Sequence, residues 1–87
     1  WDVRKDRTNR TKHGISFEEA SEIFFDPVAL TVDDQEHSWY EVRFITIGKN
    51  RLQRLVVVFF TETEEEIRII SARKPTRSGR LNYEEER

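Results

Sequence analysis

The stretch Arg54-Leu55-Val56-Val57-Val58-Phe59-Phe60 decides the fold of this chain, because no other window is so continuously apolar. Five of its seven residues are β-branched or aromatic, the types that favour strands. A run this short between polar residues predicts a central strand buried on both faces, and it is far too short to cross a bilayer. Neighbouring strands should pair with it, and helices from the two ends of the chain should cover one face of the sheet.

The length and composition limit the class of protein. The 87 residues predict one domain, residues 1–87, with a small core. Because cysteine is absent, disulfides and thiolate metal sites are excluded, which is consistent with a cytoplasmic protein. No signal peptide or membrane-spanning run is recognisable. Since methionine is absent even at position 1, we expect the natural N-terminus to lie upstream of Trp1.

The charged residues are segregated along the chain, although the net charge is only −2. Residues 1–14 carry five basic and two acidic side chains, whereas residues 15–42 carry eight acidic ones and no lysine or arginine. Residues 43–61 and 67–82 hold four and five basic side chains, respectively, and no acidic one. A folded domain can gather such segments on one face, so a polyanion partner is not excluded. Ordinary solvated charge is the simpler interpretation for most individual positions.

Two helices are predicted before the first strand. Residues 4–13 suit a helix with Asp2 as its N-cap and Gly14 at its C′ position. The capping box Ser16-x-x-Glu19 then opens a short amphipathic helix over residues 17–25.

Four strands are predicted, and the short loops between the last three indicate an antiparallel meander. Their approximate ranges are 28–32, 40–47, 54–60 and 66–73. Simple alternation in the last strand places Ile67, Ile69 and Ser71 on one face and Arg68, Ile70 and Ala72 on the other.

A closing helix is predicted after Lys74, with Pro75 in its first turn and Leu81 as its only aliphatic anchor. Gly79 within it costs ~1 kcal/mol relative to alanine. The element order therefore predicts an α+β fold, with two N-terminal helices, a four-stranded and mostly antiparallel sheet, and a C-terminal helix.

Basic side chains on the predicted strands are the main indication of function. They recur on three neighbouring strands and just after the last one, as Arg43, Arg54, Arg68, Arg73, Lys74 and Arg77. Guanidinium groups bind phosphate oxygens in bidentate fashion and stabilise charge on a pentacoordinate phosphorus, so RNA is a candidate ligand. The simpler interpretation is that these arginines are exposed and paired across strands with Glu41 and Glu66.

RNA cleavage without a metal needs one group to deprotonate the 2′-OH and one to protonate the 5′-oxygen. The candidates are Glu41, His13 and His37. His13 shares a helical face with Lys5 and Asn9, although a histidine in a last helical turn also has a plain role beside the helix dipole. Phosphate-loop, zinc and nucleophile-elbow motifs are absent, so we predict neither a metal nor another cofactor.

Several ordered motifs along the chain resemble a known family. They are Trp1-Asp2, Lys5, Asn9, Lys12-His13-Gly14-Ile15-Ser16-Phe17-Glu18-Glu19-Ala20, Phe24, Asp26-Pro27, His37-Ser38, Glu41-x-Arg43, Ile47-Gly48, Arg54-Leu55-Val56-Val57-Val58, Ile67-Arg68-Ile69-Ile70-Ser71-Ala72-Arg73-Lys74 and Tyr83-Glu84-Glu85. Together they are similar to the BrnT-type toxins of type II toxin–antitoxin modules, over nearly the whole chain.

This resemblance implies a RelE-like endoribonuclease that arrests translation by cleaving RNA in the prokaryotic cytoplasm. It also implies a hetero-oligomer with a BrnA-type antitoxin, through which the complex contacts DNA. The resemblance implies that the matching positions that carry over a function are Lys12, His13, Glu41, Arg43, Arg73 and Lys74. We therefore expect catalytic roles for His13, Glu41, Arg43 and Arg73, and RNA binding by Lys12, Arg54, Arg68, Lys74 and Arg77.

Another class of function is compatible with the same pattern. A non-catalytic interaction module could use this basic surface to bind an acidic protein partner. Direct DNA binding by the isolated chain is not favoured, because no predicted helix combines a basic face with a turn suited to the major groove.

Overall fold

The computed structural model describes residues 1–34 and 42–85, and its element order confirms the predicted α+β fold. The helices are α1 (Val3–His13), α2 (Phe17–Ser21), which a 3₁₀ helix (Glu22–Phe25) continues, and α3 (Arg77–Glu85). The strands are β1 (Leu30–Asp33), β2 (Arg43–Lys49), β3 (Leu55–Glu62) and β4 (Ile67–Arg73). They form one sheet in the order β1-β2-β3-β4, with every neighbouring pair antiparallel.

The first two helices begin at the predicted capping residues. The Asp2 carboxylate accepts a hydrogen bond from the backbone N–H of Arg4 at 2.8 Å. Ser16 Oγ accepts one from the N–H of Glu19 at 3.0 Å. These bonds satisfy N–H groups that have no partner inside a helix, so local sequence alone fixes where both helices start.

The core lies between the α1–α2 layer and one face of the sheet. Val56, Val58 and Phe60 of β3 point to this face and pack around Phe17, which has no exposed surface. Leu55, Val57 and Phe59 of β3 point to the other side and are only half-buried. The expectation that the central strand is buried on both faces is therefore wrong, because α1 and α2 cover one face and leave the other, here called the open face.

The sequence predicts that the third helix joins α1 and α2 on the covered face, and this prediction is wrong. Its Gly79 lies beside the open-face residue Ile47, whose Cδ1 would be 3.8 Å from an added Cβ. Thr76 caps the helix, since its Oγ1 accepts the N–H of Gly79 at 3.1 Å. Pro75 therefore precedes the helix, and its predicted place in the first turn is also wrong.

Tyr83 anchors α3 to the rest of the domain. It is fully buried, and its hydroxyl donates a hydrogen bond to Asp26 Oδ2 at 2.6 Å. Leu81, the predicted anchor, is 47% exposed. Because Asp26 follows the 3₁₀ helix, this bond joins the C-terminal helix to the N-terminal helical layer.

A β-bulge interrupts the alternation predicted for β4. Consecutive residues of β3 pair with Ser71 and Ile69, so Ile70 is the extra residue. As a result Ile69 and Ala72 both enter the core, at 3% and 0% exposure, although simple alternation had separated them. The same shift puts Arg73 on the open face, opposite Val57.

Three acidic residues of the helical layer hold the hairpin between β2 and β3. Glu19 accepts a hydrogen bond from the side-chain amide of Asn50 at 2.7 Å. Glu22 and Asp26 accept bonds from the backbone N–H groups of Arg51 and Lys49, at 3.0 and 2.8 Å. The hairpin is therefore fixed against α2, and these carboxylates act mainly as acceptors for its polar groups.

If Tyr83 is the anchor of α3, we expect Tyr83→Ala to lower the free energy of unfolding by about 3–5 kcal/mol, because a large buried side chain is removed. Leu81→Ala on the same helix is the matched control and should cost less than about 1 kcal/mol. Urea unfolding followed by circular dichroism measures both. A loss for Leu81→Ala as large as that for Tyr83→Ala would contradict this assignment.

Candidate active site

The end of α1 sets the position of His13. Gly14 adopts φ 71°, a left-handed conformation that glycine takes without strain, and its N–H donates to the carbonyl of Arg10 at 2.9 Å. The predicted C′ glycine is therefore confirmed. It stops the helix directly after His13, so the imidazole lies at the helix end, where it is half-buried.

The side chain of Asn9 attaches α1 to β4. Its Nδ2 donates to the carbonyls of Ile15 and Ala72, at 2.9 and 2.8 Å, and its Oδ1 accepts the N–H of Ala72 at 3.0 Å. Asn9 is 5% exposed, and these three bonds satisfy its amide. Because His13 is one turn after Asn9 and Arg73 follows Ala72, this contact brings His13 and Arg73 together. Asn9 lies on the helical face predicted for it, but the helical spacing alone does not reveal this role.

The helical face shared by Lys5, Asn9 and His13 is confirmed, because all three line one cavity. The cavity, of about 340 Å³, lies between α1 and β4, and Lys12 and Arg73 also line it. The structure thus brings three of the predicted site residues, Lys12, His13 and Arg73, to one water-accessible place. We call this cavity the α1–β4 pocket.

The pKa of His13 lies below its ordinary value of 6.5. Partial removal from water is the largest cause, and the positive charges of Arg73 and Lys12 add to it. A helix dipole alone would have the opposite effect, because the C-terminal end of a helix stabilises a protonated imidazole. The surroundings of His13 therefore favour the neutral imidazole, which can accept a proton.

Arg73 stands at the end of β4, between two cavities. Its guanidinium carbon lies 4.7 Å from the centroid of the Phe59 ring, a cation–π distance that orients the side chain over the open face. Arg73 lines the α1–β4 pocket and also a groove of about 730 Å³ on the open face. Its charge is thus available to a ligand approaching from either side.

Arg43 and Arg68 lie on the open face but not beside Arg73. Both pair with Thr61, whereas Arg73 pairs with Val57, and these β3 residues are about 13 Å apart along the strand. Arg68 forms an exposed ion pair with Glu66 at 3.2 Å. Arg68 is therefore exposed and paired with Glu66, as the simpler interpretation expected, but the two residues are two apart in the chain and do not pair across strands.

The remaining predicted RNA-binding residues are distributed around α3. Lys74 lines the open-face groove and also a second cleft, of about 570 Å³, that contains His13 and Arg54. Arg77 is exposed in the first turn of α3 and does not line either cavity that contains His13. Lys74 and Arg54 are thus connected to the imidazole through shared cavities, whereas Arg77 is not.

Two candidate proton-transfer groups from the sequence, Glu41 and His37, lie outside the described residues. In residues 1–34 and 42–85, no group of three or more histidine, aspartate or glutamate side chains could hold a metal ion. None of the helices in these ranges could span a membrane.

The groove on the open face is apolar apart from one side. Its apolar residues come from β1, β2 and β3: Leu30, Val32, Ile45, Ile47, Val57 and Phe59. Among the described residues, Arg73 and Lys74 are the charged ones that line it. An apolar surface of this kind, bordered by charge of one sign, is typical of a protein-binding site.

Comparison with known proteins identifies the family. No curated protein matches the chain. The model of the family described as "Ribonuclease toxin, BrnT, of type II toxin-antitoxin system" matches residues 1–78. That range contains the α1–β4 pocket and all four strands, while most of α3, with Tyr83, lies beyond it. The chain therefore belongs to the BrnT family of ribonuclease toxins of type II toxin–antitoxin systems.

Proposed function

We propose that this chain is a metal-independent endoribonuclease that arrests translation by cleaving RNA in the cytoplasm. The observation that supports this most directly is the placement of His13, with a lowered pKa, in one pocket with Arg73 and Lys12. A neutral base beside fixed cations is what phosphodiester cleavage by an internal nucleophile requires. The family description adds that BrnT proteins are ribonucleases.

In the proposed reaction His13 takes the proton of a ribose 2′-OH, and the 2′-oxygen attacks the adjacent phosphorus. The bond from phosphorus to the 5′-oxygen breaks, and that oxygen receives a proton, which leaves a 2′,3′-cyclic phosphate and a 5′-OH. Arg73 binds the phosphate oxygens and stabilises the added negative charge, while Lys12 and Lys74 raise the local positive potential. The proposed donor of the proton to the 5′-oxygen is Glu41, acting from its protonated carboxyl group.

Arg43 takes a different part in this proposal from the one expected from the sequence. Arg43 pairs with Thr61 of β3 and Arg73 pairs with Val57, and these two β3 residues are about 13 Å apart. The backbones of the two arginines therefore do not lie close to the same phosphate. We therefore assign Arg43 to a neighbouring phosphate of the same RNA. Arg68 and Arg77 would contribute only to the general attraction of a polyanion.

We further infer that the partner is a BrnA-type antitoxin, since a type II toxin has a cognate antitoxin. We propose that a segment of the antitoxin binds here, with apolar side chains in the open-face groove and a carboxylate that pairs with Arg73 and Lys74. Such a segment would remove Arg73 from RNA and so neutralise the toxin. DNA contacts of the resulting hetero-oligomer would come from the antitoxin.

The cleavage proposal is tested by incubating purified protein with RNA in EDTA. We expect cleavage that leaves 2′,3′-cyclic phosphate ends, and a loss of about 100-fold or more in rate for Arg73→Ala and for His13→Ala. Arg51→Ala, an exposed arginine at the hairpin outside the α1–β4 pocket, is the matched control and should keep the wild-type rate. Full activity of both site variants would refute the assignment, and no cleavage by the wild type would favour a non-catalytic interaction module.

The role of Arg73 beside His13 is tested by the pKa of the imidazole. Removing a nearby positive charge stabilises the protonated form, so Arg73→Ala should raise the pKa of His13 toward 6.5. NMR titration of the imidazole C–H signals measures this, with His37→Gln to assign the two histidines and Arg77→Ala as the matched loss of charge. If His13 is the base, the wild-type rate falls as pH drops through the lowered pKa. An unchanged or lower pKa in Arg73→Ala would contradict the proposed coupling.

The antitoxin contact is tested with a charge placed in the groove. Val32 lines the groove and is 60% exposed, so Val32→Glu should fold normally. It should weaken binding of the protein encoded by the neighbouring open reading frame by about tenfold or more, because an unpaired carboxylate would be buried in the complex. Leu52→Glu, at a 71% exposed position of the hairpin, is the control, and calorimetry measures both. Equal affinities of the two variants would exclude the groove as the contact.

A further inference from the structure

A second basic cleft lies next to the α1–β4 pocket, and most of its basic residues take no part in the reaction described above. It is the cleft of about 570 Å³ between the end of α1, the β2–β3 hairpin and α3, here called the hairpin cleft. Its basic residues come from all of these elements and from the end of β4: His13, Lys49, Arg54, Lys74 and Arg80. Two of them, His13 and Lys74, also line the neighbouring cavities, so the hairpin cleft is continuous with the proposed reaction centre.

The cations of this cleft keep their charge available to a ligand. In the part of the chain that the structure describes, Arg54, Lys74 and Arg80 form no ion pair, and all three are exposed. Among the described residues, the cleft also contains two carboxylates, Glu19 and Glu84, against four lysine and arginine side chains. The balance of charge in the cleft is therefore positive.

The backbone that carries these cations is held in place. Asn50 Oδ1 accepts the N–H groups of Leu52 and Arg54, at 2.9 and 3.0 Å, and the Asn50 N–H donates to the carbonyl of Arg54 at 2.9 Å. The carboxylates of Glu19, Glu22 and Asp26 accept hydrogen bonds from this turn and so attach it to α2, to the 3₁₀ helix and to the residue that follows it. On the other wall, Tyr83 anchors α3 and thus the turn that carries Arg80. A cleft with fixed walls and free cations is suited to bind consecutive phosphates.

We propose that the hairpin cleft binds the phosphate backbone of RNA next to the cleaved linkage, through Arg54, Arg80 and Lys74. This inference rests on the proposed ribonuclease function and names the path of its substrate. The RNA would run from the α1–β4 pocket past His13 and Lys74 into the cleft. The cleft would recognise the phosphates of the RNA and not its bases, because the residues proposed to bind the RNA strand are arginine and lysine.

The test uses RNA that cannot be cleaved, so that binding is separated from catalysis. The probes are a fluorescein-labelled 2′-O-methyl RNA dodecanucleotide and the corresponding dinucleotide, which has one internucleotide phosphate. Arg54→Ala and Arg80→Ala should each weaken binding of the dodecanucleotide about fivefold or more. Each should also reduce the slope of log affinity against log salt by about 0.7, the value for one lost phosphate contact on a single strand. Affinity for the dinucleotide, measured by competition, should not change.

Arg51→Ala is the matched control, because Arg51 is exposed in the same hairpin but does not line the cleft. Equal losses for Arg51→Ala and Arg54→Ala would mean diffuse attraction, and unchanged binding by Arg54→Ala and Arg80→Ala would mean no contact. Either result overturns the hairpin cleft as a binding site, even if the wild type cleaves RNA. In the converse case, the wild type cleaves no RNA while Arg54→Ala and Arg80→Ala still show the expected losses of binding. That result would support the hairpin cleft as a binding site and refute the ribonuclease proposal.

Discussion

The rest of the site depends on the hydrogen bonds of a single buried amide, that of Asn9. Helix α1 has almost no apolar residue, so hydrophobic burial cannot hold it against the sheet. Instead, Asn9 exchanges hydrogen bonds with both backbone groups of Ala72 and adds one to Ile15. A buried amide left without partners would be costly, so this geometry is strongly favoured over alternatives. It allows a highly charged helix to lie along β4 and bring His13 to Arg73.

The β-bulge at Ile70 is the second constraint, because it decides where Arg73 points. Without an extra residue, Arg73 would share the face of Ile69, which enters the core. The bulge moves Arg73 to the opposite face, over the ring of Phe59, while Ala72 enters the core beside Ile69. The same irregularity therefore completes the core and exposes the cation that the proposed reaction requires.

These two features also explain what could be predicted from the sequence. The helix ends at Asp2, Gly14 and Ser16 were predictable, since a cap depends on residues within one turn of itself. The contact of Asn9 with Ala72 and that of Tyr83 with Asp26 join residues far apart in the chain, which a periodicity cannot reveal. Lys12, His13 and Arg73 could be named as candidate site residues, but their meeting in one pocket depends on the Asn9 contact and on the bulge.

The structure also resolves how an acidic chain, with a net charge of −2, can present basic clefts. The carboxylates of Glu19, Glu22 and Asp26 accept hydrogen bonds from the β2–β3 hairpin, so they stabilise the fold instead of pairing with the cations around His13. Hydrogen bonds of this kind hold a carboxylate in place and satisfy part of its capacity as an acceptor. Net charge is therefore a poor guide to what this domain binds. What matters is where the fold places each charge, and in the described residues the cleft that contains His13 holds four lysine and arginine side chains against two carboxylates.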